Sequence, residues 1–133
     1  MTDKASTSPA SNPAMVWAGR VVSALASLPF LPSAYFKIAQ SAEVVEGFTK
    51  IGWPLKTAMP LGIIELACVV LYVIPQTAVL GAILLTGYLG GAISVHVHHN
   101  ESFLIPAVIG VLVWLGLFLR DARIRAMVPL RKV

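Results

Sequence analysis

The chain has 133 residues, 57% of them hydrophobic and only 12% charged, with a formal net charge of +4. A soluble domain carries roughly twice that charged fraction, and a mean hydropathy of +0.82 excludes an ordinary water-facing exterior. The single cysteine, Cys68, excludes an internal disulfide, and the lack of a CxxC pair excludes dithiol–disulfide exchange within the chain.

In chain order, residues 1–13 (MTDKASTSPASNP) are rich in Ser, Thr, Ala and Pro and read as a disordered tail. Four apolar segments follow, at about 15–39, 54–74, 77–97 and 103–119. Each is near the ~20 residues that cross ~30 Å of hydrocarbon as a helix, and a helix satisfies every backbone group within its own segment. Pro29 and Pro32 predict a kink in the first. The stretch Ala24–Ser27 (ALAS) looks like a signal-peptidase site, but Arg20 interrupts the apolar run before it, and LPFLPSAYF resumes it afterwards. The expected architecture is therefore all-α: an integral membrane four-helix bundle over residues 14–120, with a basic tail at 121–133.

The positive charges sit at segment ends, which fits membrane topology and excludes a nucleic-acid surface. The C-terminal tail holds Arg120, Arg123, Arg125, Arg131 and Lys132 against Asp121, whereas the 98–102 connection has no Lys or Arg. Positive-inside reasoning puts the C-terminus in the cytoplasm, and four crossings return the N-terminus there as well. Arg20 then snorkels to the inner face. The 40–53 connection, read as a loop, shares the outer face with the histidine-rich turn. Trp17, Trp53 and Trp114 read as headgroup anchors.

Glu65 is an acid within an apolar segment, in MPLGIIELACVVLYVIP. It follows Thr57 by eight residues, about 12 Å below the outer surface at 1.5 Å per residue. A lone carboxylate there needs a partner or a proton. Lys37 closes the first segment and His96 the third, both toward the same outer half, so Lys37, Glu65 and His96 are candidates for ligand binding or proton relay. The blander reading of each is a group that pins helices or snorkels. His98 and His99 read as solvated loop residues. His96, His99 and Glu101 are the only metal candidates, and the expected helix end disrupts their spacing, so no metal is expected. Gly87 and Gly91 form a GxxxG pair, which predicts close helix packing within the bundle. No hydrolytic motif, nucleotide-binding loop or intrinsic redox centre is present, which leaves catalysis undecided.

The segments FKIAQ, LGIIELACVVLYVIP, LLTGYLGGAISVHVHHNE and GVLVWLGLFLRDARIRAMVPLR together resemble the DoxX-like family of small, mostly bacterial four-helix membrane proteins. The resemblance covers nearly everything after the tail. It implies a multi-pass protein of the bacterial inner membrane, and the family's lysine, glutamate and histidine fall on Lys37, Glu65 (after Gly62) and His96. The basic residue that follows this histidine in many relatives is replaced here by His98 and His99. The family's name is tied to quinone-linked oxidation, so a quinone is the cofactor it suggests. Three functions stay open at this point. The first is a non-enzymatic binding or accessory subunit with a membrane or redox partner, or a second copy of itself. The others are a quinone-linked oxidoreductase component and a small-solute transporter, for which no inverted repeat is visible.

Overall fold

The structure, a computed structural model, describes residues 12–131; the expected tail lies outside the described residues except for its last two. Those two are helical punctuation. Asn12 accepts from the Ala14 N–H at 3.0 Å, and Pro13 opens the first helix. Helices α1 (Pro13–Ser27) and α2 (Phe30–Ala39) form the first apolar unit. The predicted kink is the break between them: Leu28 and Pro29 form a turn, and Pro32 falls in the first turn of α2, where a missing N–H costs nothing.

The 40–53 connection corrects the sequence reading, because it holds a helix, α3 (Ala42–Ile51). Ser41 caps its start by accepting from Val44 N–H, and Gly52, at φ 73°, ends it in the left-handed conformation. Val44, Phe48 and Ile51 share its inner face, while Glu43, Glu46 and Lys50 face out. One 3-10 turn (Leu55–Thr57) leads into α4 (Ala58–Val73), followed by α5 (Ala78–His98) and α6 (Leu104–Arg120). The basic tail also contains a short helix, α7 (Ala122–Met127), because Asp121 caps it through the Arg123 N–H at 2.9 Å.

No strand occurs among the described residues. Among the described residues, three apolar helical units are long enough to cross a membrane, Pro13–Ala39, Leu55–Val73 and Ala78–His98, and the apolar α6 is shorter. Their outward faces are hydrophobic: Ile105 is 73% exposed and Val111 67%. An apolar exterior around a core of Tyr72, Leu85 and Leu117 suits lipid as the solvent.

Neighbouring helices run antiparallel. α6 returns along α1, and α4 packs between α2 and α5. Small residues set these approaches, though not the expected pair. A Cβ at Gly87 or Gly91 would meet nothing within 4 Å, so the predicted packing motif is corrected. The close contacts lie at Gly19 against the Arg120 backbone, Gly62 against the Ala34 carbonyl, Gly81 against the Tyr72 backbone and Gly116 against Ser23. Tyr72 bridges the buried core by donating to the Val113 carbonyl at 2.7 Å, with Ser23 Oγ at 3.0 Å. Arg120 donates to the Tyr72 carbonyl at 2.9 Å. Trp114 also departs from the headgroup role: it lies within α6 and donates to Thr86 Oγ1 at 2.7 Å.

Candidate functional site

The candidate site grows from one glycine. A Cβ at Gly62 would come within 2.8 Å of the Ala34 carbonyl and 3.0 Å of Lys37 Cβ. The bare glycine therefore lets α2 close on α4, and Glu65 follows Gly62 by three residues, on the same face. Across that contact Lys37 Nζ donates to Glu65 Oε2 at 2.8 Å. Lys37 also donates to Ser33 Oγ at 2.6 Å, one helical turn back along α2.

Tyr88, on α5, completes the cluster: its hydroxyl donates to the same Glu65 oxygen at 2.9 Å, and Lys37 Nζ lies 5.8 Å from its ring centre. Glu65 is only 1% exposed. Two donors converging on one oxygen, one of them cationic, is the environment of an ionised carboxylate. A buried ion of either sign is costly alone, and the pair makes the cluster neutral as a whole.

Sequence reasoning missed Tyr88 and Ser33. Tyrosine counts as apolar in a hydropathy profile, yet its hydroxyl needs a partner when buried. That requirement, with an unpaired acid one helix away, was the signal available. Ser33 stood at i−4 from Lys37, the spacing of a helical contact.

His96 is placed differently from expectation. Its Nδ1 lies 2.8 Å from the Ala92 carbonyl of its own helix, and no hydrogen bond joins it to Lys37 or Glu65 among the described residues. Depth explains this. His96 follows Tyr88 by eight residues, about 12 Å farther along α5, so Tyr88 is the α5 residue level with Glu65.

His96 nevertheless borders the same space. A cavity of about 520 Å³ lies beside the cluster, with Lys37, Glu65, Tyr88 and His96 as its ionisable lining. That volume is within the ~300–1,000 Å³ typical of small-molecule sites. Its wall on α5 runs from Gly87 to His96, about 13 Å of helix, so the space is elongated. Gly87 and Gly91 line it, and their missing side chains are what keep it open. Phe48 and Ile51 of α3, with Trp53 beyond, cover it from the connection side; Phe48 and Trp53 meet edge to face at 6.0 Å.

α3 is tied across this cover. Lys50 Nζ donates to Glu101 Oε1 at 2.8 Å, which joins α3 to the turn before α6. Both side chains are exposed. The hydrogen bond and charge of Lys50 hold the Glu101 carboxyl below its ordinary range, and Glu101 in turn raises Lys50. The carboxylate of Glu101 is thereby committed to Lys50. His99 caps the end of α5, and no group of three metal-ligating side chains occurs among the described residues.

An apolar exterior, three helical units of spanning length among the described residues and a buried ion pair beside a half-open cavity define a helical membrane protein. More particularly, the chain belongs to the DoxX-like family, whose sequence profile matches residues 21–116. That span contains Lys37, Glu65, Tyr88 and His96. Comparison with curated proteins and with solved structures gives no significant match.

Proposed function

We propose that this chain is a four-span protein of a bacterial inner membrane that binds a small amphiphilic molecule in its cavity, as a binding or accessory subunit. The observation that carries this reading is the neutral Lys37–Glu65–Tyr88 cluster opening onto an apolar space of about 520 Å³. A cluster that only locked helices together would need no such space beside it. α6 supplies the fourth crossing. Both chain termini face the cytoplasm in this arrangement, supported by Arg20, Arg120, Arg123, Arg125 and Arg131 at one end of the bundle. The cavity then opens toward the outer half of the membrane.

The test is native mass spectrometry of the protein in mild detergent, wild type beside Gly91→Leu, whose side chain fills the cavity. A bound mass present in the wild type and lost in the variant is expected. Spectra with no ligand lost between the two refute the binding reading.

A second reading, a quinone-linked oxidoreductase component, is favoured by the pairing of Lys37 and Tyr88, both donors, with a carboxylate able to take a proton in the same cavity. The electrons would come from a partner protein. Quinone-dependent turnover unchanged by Glu65→Gln would rule this out.

A further inference from the structure

The two oxygens of Glu65 are used unequally. Oε2 accepts from both Lys37 and Tyr88, at 2.8 and 2.9 Å, and no hydrogen bond to Oε1 occurs among the described residues. Glu65 is 1% exposed, and the space it borders is the cavity. An ionised carboxylate oxygen with no donor, in apolar surroundings, is a strong acceptor.

Lys37 is also incompletely used. Its ammonium has three N–H groups, and its partners are Ser33 and Glu65. Lys37 too lines the cavity. An acceptor and a donor therefore stand side by side at one end of an elongated apolar space.

We infer that the cavity takes a neutral amphiphile ending in a hydroxyl group, whose O–H donates to Glu65 Oε1 while its oxygen accepts from Lys37 Nζ. This rests on the proposed binding function and specifies the class of ligand. The aliphatic or aromatic body lies along α5 past Gly87, Gly91 and Ala92 toward His96.

The same geometry rejects the neighbouring classes. A carboxylate would bring like charge against Glu65, and an ammonium would do so against Lys37. An ether or ester of the same shape only accepts, so it leaves Oε1 desolvated without a donor. That omission weakens binding by about tenfold to a hundredfold.

The experiment titrates three matched probes, para-hexylphenol, para-hexylanisole and para-hexylbenzoate, against the full-length protein in lipid nanodiscs. Native mass spectrometry after release reads the occupancy, with Gly91→Leu as the filled-cavity reference for lipid partitioning. The expected result is cavity-dependent binding of the phenol at least tenfold tighter than the anisole, with no cavity-dependent binding of the benzoate. Glu65→Gln, which can turn an amide N–H toward the ligand, is expected to abolish the preference for the phenol. Equal cavity-dependent binding of phenol and anisole overturns the hydroxyl assignment and leaves the cavity a binding site. If none of the probes distinguishes wild type from Gly91→Leu, both the assignment and the binding reading fall.

Discussion

Replacing Lys37 by Met removes the cation from a buried pair and keeps most of the side chain's bulk. At the observed separation of 2.8 Å the gross attraction is about 6 kcal/mol for an effective dielectric constant of ~20. Most of it offsets the cost of taking both ions out of water. The variant loses the attraction but keeps the cost for Glu65, which retains only Tyr88 as a donor. Breaking a buried pair from one side costs about 3–5 kcal/mol, a fall in melting temperature of roughly 10–20 °C for a chain of this size. Glu65→Gln is milder, because the Lys37 side chain is 18% exposed and keeps its bond to Ser33. The double variant Lys37→Met/Glu65→Gln recovers most of the loss, since its amide can still accept from Tyr88 and no ion stays buried. The assay is thermal unfolding in mild detergent with a thiol-reactive dye, which reports when the buried Cys68 becomes accessible. Single effects that simply add, or a Lys37→Met variant that melts with the wild type, would refute an ionised Glu65 held by Lys37.

Gly81→Ala is expected to prevent proper packing of α4 on α5, because its Cβ would run into the Tyr72 backbone nitrogen. Gly87→Ala faces open space and should leave the melting temperature within a few degrees of wild type; detergent melts of both variants check the contrast. The Lys50–Glu101 tie predicts a pH window for the docking of α3. Glu101 is depressed in the fold, so its contribution is present above about pH 4.3 and is lost as pH falls through the lower folded value. Lys50 is raised, so its contribution is present below about pH 10.4 and is lost as pH rises through the higher folded value. The neighbouring Glu46 also raises Lys50, and His96 and His99 also lower Glu101. Hydrogen exchange in α3, corrected for intrinsic rates, should accelerate at either edge of that window. Glu101→Gln should accelerate it at neutral pH and remove the acid edge, and exchange indifferent to both changes would count against the tie.

The spans and the Lys37–Glu65 contact were legible because hydrocarbon imposes harsh rules: long apolar runs, and a companion for every buried ion. Where those rules relax, the sequence reading weakens. α3 has only ten residues and carries Glu43, Glu46 and Lys50, so its apolar face disappears into an average that looks like a loop. Its signals were local ones, Ser41 before it and Gly52 after. The Gly87/Gly91 spacing says that one face of α5 is bare, but not whether a helix or a cavity lies against it. His96 went astray for a related reason. Its position at the end of α5 gave the right end of the bundle and the wrong depth, and depth decides which side chain of a helix reaches a fixed partner.

The closure of α6 onto α1 bears on how the protein is made. Gly19 fits against the Arg120 backbone and Gly116 against Ser23, so α1 finds its partner in α6, the last of the long apolar helices among the described residues. Until α6 packs, that face of α1 lacks its helical partner. The Lys37–Glu65–Tyr88 cluster has no such wait, since all three residues precede α6 in the chain. Chain order therefore allows the ion pair to form before the α6 wall closes. A ribosome stalled before Leu104 would leave a chain able to form the Lys37–Glu65 pair but with the α1 flank still lacking α6.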